Sequence, residues 1–225
     1  KNIPIFINNE NTKEFATKCK LSIQESARIL RYDWFNWLKE KKGFNNILTA
    51  HHADDNVETM LYNFIRGSGL KGIKGMPIIN KSVVRPLLCL SKQEILTYLN
   101  NNKISYREDK SNDDTKYKRN FIRHQLLPLI YEINPSYLKT LSNSSNIFRS
   151  EYQYLEDKLL RDIQKAMIKK NKDAIHFSIK TILQSKAPDI LIHYILDKHG
   201  YSQDQKNNIL NALNKKISGL TFITK

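Results

Sequence analysis

The spacing of apolar positions changes several times along the chain, and each change predicts an element. Ile3 to Ile7 reads as a short strand. Ser22-x-x-Glu25 is a capping box, and Ala27, Leu30, Trp34 and Trp37/Leu38 recur behind it at helical spacing, so a helix runs from there to Gly43. Asn46 to Ala50 follows as a buried strand. The next helix spans about Asp54 to Arg66, with Val57, Met60, Leu61, Phe64 and Ile65 as its core face and Gly67 as its stop. Val83 to Leu88 is extended. A second capping box, Ser91 to Glu94, opens a helix to about Asn101, and Ile104 to Tyr106 is a short extended piece. Asn120 to Ile130 is helical.

Asn134-Pro135 marks a change of character. From Ser136 to about Lys170 there is no Pro or Gly, and Leu141, Phe148, Tyr152, Leu155, Leu159 and Ile163 keep helical spacing, with Ser145 as a polar break. The pattern predicts one long amphipathic helix. A short strand (Ala174 to Phe177), two or three short helices through Lys216 and a terminal strand near Gly219 to Ile223 follow. Strand and helix alternate in the first part, which argues for a parallel α/β sheet. The second part is mostly helical. The boundary is expected near residues 131–135, giving units of 1–132 and 133–225.

Composition changes this picture in one respect. Of 225 residues, 40% are hydrophobic, enough for a core, and the charge is unbalanced: 37 Lys and Arg against 22 Asp and Glu, a net of +15. Such a surface attracts polyanions, nucleic acid first among them, although a Lys-rich cytoplasmic protein carries the same signature. Cys19 and Cys89 lack metal-ligand spacing and are too few for a disulfide scaffold, so both are expected as buried thiols in a reducing cytoplasm. No apolar run approaches the roughly 20 residues of a membrane span, and no signal peptide opens the chain. A cytoplasmic protein with no membrane partner is expected. The abrupt start at Lys1, without methionine, suggests the middle of a domain.

Four segments carry candidate chemistry. His51-His52-Ala53-Asp54-Asp55-Asn56-Val57-Glu58-Thr59 sits at the carboxyl end of a predicted strand, where open α/β sheets place ligands. Asp55 and Glu58 are three apart and share a helix face, an arrangement suited to holding Mg²⁺ on a polyphosphate, orienting an amine or accepting a proton. Acids near a helix N-terminus also simply favour the macrodipole, which covers Asp54 and Asp55 better than Glu58. Arg66-Gly67-Ser68-Gly69 opens a basic, glycine-rich loop containing Lys71, Lys74, Lys81 and Arg85; it suits phosphate, or is a flexible loop closed by a helix cap. Arg119 and Arg123, with His124 beside them, follow the polar run Glu108 to Thr115 and stand four apart on one helix face, where guanidinium forks suit phosphate or carboxylate. Arg28 and Arg31 lie on the first long helix, which reads equally as a solvated face. His176, His193 and His199 have no partner pattern.

In this order the segments resemble the tRNA-isoleucine lysidine synthetase family. The matching stretches are Ile23 to Arg28 with Arg31-Tyr32, Thr49 to Asp55 with Glu58-Thr59, Arg66 to Gly69, Arg85 to Leu88, Glu108-Asp109 with Ser111-Asn112, and Arg119-Asn120 with Ile122-Arg123. The likeness is dense over residues 3–135 and thinner beyond. It implies an ATP pyrophosphatase with an adenine-nucleotide α-hydrolase-like parallel sheet, here incomplete, followed by a mostly helical tRNA-binding domain. It implies adenylation by ATP, with Mg²⁺, of the wobble cytidine in an isoleucine tRNA with a CAU anticodon, then displacement of AMP by free L-lysine. By this resemblance the catalytic residues are Asp55 (also the Mg²⁺ ligand), Glu58, Arg31, Arg119 and Arg123. Arg28, His51, His52, Asp54, Arg66, Gly67, Ser68 and Gly69 line the ATP and lysine pocket, and Lys71, Lys74, Lys81, Arg85 and His124 contact RNA. A homodimer is compatible with it.

The family's Ser-Gly-Gly-x-Asp-Ser phosphate loop and its preceding strand have no counterpart here, and neither does a His-x-Asn-His-like stretch. The chain is therefore expected to be cut at both ends and not to hydrolyse ATP alone. The rival readings are a tRNA thiolase, for which Cys19 and Cys89 are poorly placed, a metal-dependent phosphohydrolase on His51, His52, Asp54 and Asp55, and a non-catalytic RNA-binding module.

Overall fold

A computed structural model describes residues 3–107, 118–171 and 174–215. The polar run around Glu108-Asp109 and Ser111-Asn112, and the strand expected at residues 219–223, lie outside these. Eleven α-helices and five short strands occur among the described residues, and the chain divides into two compact units, residues 1–146 and 147–225.

In the first unit both capping boxes form as read. Ser22 Oγ accepts the Glu25 amide and the Glu25 carboxylate accepts the Ser22 amide, starting α2 (Ile23–Lys42), which Gly43 ends in a left-handed conformation at φ 70°. Ser91 and Glu94 do the same for α5 (Lys92–Asn101). A short helix, α1 (Thr12–Cys19), precedes α2 with Asn11 as its N-cap; its weak apolar pattern gave no signal. Residues 3–7 are not a strand. They have no regular structure and are exposed, because no described segment offers them a ladder and a strand needs a hydrogen-bonded neighbour.

The sheet is small and mixed. β1 (Ile47–Leu48) pairs in parallel with β3 (Val83–Val84), and β3 pairs antiparallel with β2 (Ile79–Asn80). Among the described residues the expected parallel sheet is thus present at one pairing, since the two-residue turn Lys81-Ser82 folds β2 back on β3. Leu48 is 68% exposed, so β1 is buried on one face and not both. The basic stretch after residue 66 is more ordered than a loop: α4 (Gly69–Ile73) and β2 both form within it. A 3₁₀ turn at Pro86–Cys89 follows β3.

From β1 the chain enters α3 (Ala53–Ile65). Val57 and Met60 are buried as expected, but Phe64 is 69% exposed and Ile65 is exposed too; among the described residues nothing covers these two side chains, and Asn56 and Glu58 take buried positions instead. Val57 packs against Ile122 and Leu127, with Leu61, Ile130 and Leu141 around them. The helix expected from Asn120 is broken into α6 (Lys118–Phe121), a π-helical segment Ile122–Leu126, and α7 (Leu127–Ile133). Leu127 N–H bonds to Ile122 O, five residues back, immediately before Pro128, which has no N–H to give.

The long helix is present as α8 (Tyr137–Ala166), and the first unit ends within it. Its polar break has a purpose: Ser145 is fully buried, accepting from Asn56 Nδ2 at 3.0 Å and donating to Lys74 O at 2.8 Å. In the second unit β4 (Met167–Lys170) pairs antiparallel with β5 (Ile175–Phe177), and α9 (Ile179–Leu183), α10 (Pro188–Lys198) and α11 (Gln203–Asn214) follow. Leu159, Ala166, Ile182, Leu191 and Ile192 form its core. Both cysteines are exposed, contrary to expectation: Cys19 closes α1 and Cys89 closes the 3₁₀ turn, each at an element's outer end. No helix among the described residues is long and apolar enough to cross a membrane.

Candidate functional site

The β1–β3 ladder carries the chain up to the start of α3. Thr49 N–H bonds to Val84 O at 3.0 Å and Ala53 N–H to Leu90 O at 2.8 Å, so His51 and His52 leave the sheet at its carboxyl end and the acids follow at the helix N-terminus. The Asp55 carboxylate accepts the His52 amide at 3.1 Å, closing the first turn.

Opposite α3, the π-helical segment presents Arg123. Its Nε donates to Glu58 Oε1 at 2.6 Å and its Nη2 to Glu58 Oε2 at 3.0 Å, a bidentate pair in which the Glu58 side chain is only 1% exposed. The same Nη2 stands 3.5 Å from Asp55 Oδ1, an ion-pair contact rather than a good hydrogen bond. Arg119 Nη2 donates to Asp55 O and to Thr59 Oγ1, both at 3.1 Å, and its Nε is 3.8 Å from Glu58 Oε2. The segments around residues 55 and 120 thus meet by charge, and the Val57–Ile122 contact fixes their spacing.

These groups face a cavity of about 1000 Å³ whose walls also include Arg28 and Arg31 from α2, together with Tyr62. A smaller adjoining cavity is lined by His51, Asp55, Arg28, Arg31 and Arg119. Arg28 lies over the Tyr32 ring at 4.7 Å. The result is three acids, Glu25, Asp55 and Glu58, set among four arginines from distant parts of the chain.

The two histidines differ in electrostatic setting. Burial pushes the His51 imidazole below its ordinary value of 6.5; Asp55 opposes this, and Arg85, Arg119 and Arg28 reinforce it. His52 is raised above 6.5, chiefly by its contact with Asp54, against a burial penalty. Its Nδ1 is 3.3 Å from Asp54 Oδ2 and its Nε2 is 3.5 Å from Asp55 Oδ2. For Asp54, burial alone would raise the carboxyl, but His52 and the Lys92 amide, which donates at 2.7 Å, together hold it below its ordinary range.

Among the expected site residues, Arg28, Arg31, Asp55, Glu58, Arg119 and Arg123 all border the large cavity, and His51 the adjoining one. His52 and Asp54 stand beside them, at the junction with α5. Gly67, Ser68 and Gly69 are not brought there. They follow the far end of α3, whose last residue Ile65 stands about 15 Å along the helix axis from Asp55 at 1.5 Å per residue; Ser68 Oγ bonds to Asn63 O and closes the helix. Arg66 reaches toward the cavity only through Tyr62, over whose ring it lies at 5.3 Å. Lys71 and Lys74 belong to α4 and its C-cap, and His124 is exposed on the π-helical segment. Lys81 sits in the β2–β3 turn. Arg85 does not behave as an exposed RNA contact: it is 6% exposed, and its Nη1 donates to Pro77 O at 2.8 Å.

Sequence reading missed two participants and named a third, Thr59, without giving it a role. Thr59 receives Arg119, Tyr62 lines the wall, and the Lys92 amide holds Asp54. Tyr62 is four residues beyond Glu58 and seven beyond Asp55, so helical spacing alone places it on their face. Among the described residues no group of three His, Cys, Asp or Glu side chains is arranged to hold a metal ion.

A family model described as a PP-loop domain matches residues 1–130. The chain is 34% identical over 212 residues to a tRNA(Ile)-lysidine synthase of Porphyromonas gingivalis, covering 94% of this chain and 46% of that protein. It is 37% identical over 223 residues to the tRNA(Ile)-lysidine synthase of Bacteroides thetaiotaomicron, covering 99% and 51%. With the protein of that name from Thermosipho africanus it shares 40% identity over 159 residues, covering 70% and 37%. The chain spans about half the length of the first two relatives.

Proposed function

The chain belongs to the PP-loop domain family, and from that premise we propose that it carries part of the reaction centre of a tRNA(Ile)-lysidine synthase, a cytoplasmic ATP-dependent ligase that joins free L-lysine to the wobble cytidine of isoleucine tRNA with a CAU anticodon. The observation that carries the reading is the convergence of Arg31, Asp55, Glu58, Arg119 and Arg123 on one cavity. Residues 1–132 are read as the nucleotide-handling part and residues 133–225 as a helical part that meets tRNA.

The chemistry asks for two things that these residues supply. Adenylation of the cytidine carbonyl oxygen expels pyrophosphate, and the negative charge that builds on the phosphates favours preorganised cations. Arg28, Arg31 and Arg119 are not bound bidentately to acids and are placed for that role. The incoming lysine amine must then lose a proton and attack as AMP leaves. Asp55 has one oxygen on the His52 amide and the other 3.5 Å from Arg123; it is the acid placed to orient that amine. Glu58 acts through Arg123, holding its guanidinium in one direction.

Mg²⁺ does not fit a site made by this chain's described residues alone. Of the three carboxylates lining the cavity, Glu58 is gripped by the Arg123 fork and Glu25 is engaged by the Ser22 cap, which leaves Asp55, and one carboxylate is no cage. A magnesium ion would arrive on the nucleotide's polyphosphate, keeping most of its waters.

The test measures incorporation of labelled lysine into a panel of tRNAs by the natural polypeptide carrying this chain, with and without ATP. Incorporation is expected only with ATP and only into isoleucine tRNA bearing CAU, and to be lost in Asp55→Asn and Arg31→Ala. Equal labelling of all tRNAs, or labelling that survives both substitutions, would overturn the reading.

A further inference from the structure

A second cavity of about 400 Å³, which shares Arg28 with the reaction cavity, lies between α2 and the β2–β3 turn. Arg28, Tyr32, Asp33, Lys81, Ser82 and Arg85 are among the residues around it. Three cations face one acid.

Arg85 is the unusual member. It is more than nine-tenths buried, no carboxylate pairs with it among the described residues, and its Nε has no hydrogen-bond partner. A buried guanidinium without a counter-charge is expensive, and proteins keep such groups paired. Its field reaches outward, since Arg85 and Arg28 are both among the groups that lower His51. Lys81 adds an exposed ammonium at the rim, on a turn where it adopts the left-handed conformation at φ 53°. A non-glycine residue is strained in that conformation. Asparagine or glycine would fit the turn more easily, whereas lysine brings charge to the cavity mouth.

We propose that this cavity is a phosphate-ester subsite, in which Lys81 and Arg28 contact the ester oxygens and the buried Arg85 supplies the compensating positive field. The inference deepens the function proposed above and rests on it for the source of the ester: a phosphodiester of the RNA strand next to the reacting nucleotide. The cavity shares Arg28 with the reaction cavity, so a polyanion occupying one runs into the other.

The test uses the ¹⁵N-labelled chain and three probes: inorganic phosphate, ATP and a short single-stranded oligoribonucleotide. All three arms are read at the backbone amides of residues 80–85 and at the Arg85 Nε–H resonance. Phosphate is expected to move these signals at millimolar concentration, and the oligoribonucleotide at far lower concentration. Lys81→Gly suits the left-handed turn and removes the charge. It is expected to unfold at the same or a higher temperature, to bind the oligoribonucleotide about tenfold more weakly at low salt, and to lower the log–log salt slope by about 1. Movement with ATP and not RNA identifies a nucleotide phosphate as the ester and keeps the subsite. Phosphate shifts without any RNA binding keep the subsite while sinking the tRNA reading. RNA shifts at Arg119 and Arg123 with residues 80–85 silent to all three probes, or Lys81→Gly binding RNA as tightly as the parent, overturn the subsite.

Discussion

Arg123 grips Glu58 with both ends of its fork, Nε to Oε1 at 2.6 Å and Nη2 to Oε2 at 3.0 Å, across 65 residues of chain. Glu58 has almost no contact with solvent and Arg123 keeps 28% of its side-chain surface. Removing one partner strands the other. Glu58→Gln is expected to destabilise the first unit by about 2 kcal/mol, below the 3–5 kcal/mol typical of fully buried pairs because water still reaches Arg123. Denaturant melts of Glu58→Gln, Arg123→Gln and the double variant measure the coupling; a value near zero would show that the pair contributes no specific stability.

The adjacent histidines should titrate apart. His52 is held above 6.5 by Asp54, and His51 below it by burial and nearby arginines. Because folding raises His52, its stabilisation is complete below pH 6.5 and fades as pH climbs through the folded value. Because folding lowers His51, the unfolded chain takes up that proton first, and stability falls as pH drops below 6.5. Asp54 is lowered, so its share is present above its ordinary value of 3.8 and disappears as acid titrates it in the folded chain. Imidazole ¹H–¹³C spectra over pH 5–8, assigned with His51→Gln and His52→Gln, check the order. Coincident midpoints would refute it.

Asn56 is the hub behind the acids. Its Oδ1 accepts the Met76 amide at 2.7 Å, and its Nδ2 bonds to Ser145 at 3.0 Å. Gly75 lies against it at φ 74°, and a Cβ there would fall onto Asn56 Oδ1. Gly75→Ala is expected to cost 2 kcal/mol or more, roughly, through clash and strain together. Asn56→Ala should cost a similar amount by leaving buried partners unsatisfied. Gly75→Ala should cost distinctly less in the Asn56→Ala background, because part of the collision is gone. Strict additivity in thermal melts would disprove the contact.

Cys19 and Cys89 are both exposed. Both thiols are expected to react with a chromogenic disulfide reagent in the native chain without denaturant, and Cys19→Ser and Cys89→Ser should each remove one equivalent. A native chain that reacts only when unfolded would contradict their placement.

What could be read in advance was what short stretches decide. The Ser22/Glu25 and Ser91/Glu94 boxes are completed by neighbours three residues apart, so the starts of α2 and α5 were legible. Asp55 and Glu58 on one helix face followed from spacing, and their meeting with Arg119 and Arg123 from the family resemblance. The misses depend on distant partners. The apolar residues 3–7 look like a strand locally but have no described neighbour to pair with. Phe64 and Ile65 fit the periodicity of α3 yet stay exposed among the described residues, while Ser145 interrupts the apolar stripe of α8 because Asn56, 89 residues away, needs a partner. The distance from Gly67–Gly69 to the cavity is set by the length of α3, which chain order alone did not convert into space.

The bond from Leu127 to Ile122 skips one residue beyond the α-helical step. Such a widened turn is a phase shift: everything before it is rotated relative to an unbroken helix. At 3.6 residues per turn, excising Gln125 would swing Lys118–Phe121 by about 100°, turning Arg119 away from the Asp55 carbonyl and Thr59 although every residue that touches the cavity would still be encoded. The length of this stretch, as much as its composition, is therefore under functional constraint, and a single-codon deletion there is expected to be more damaging than most substitutions.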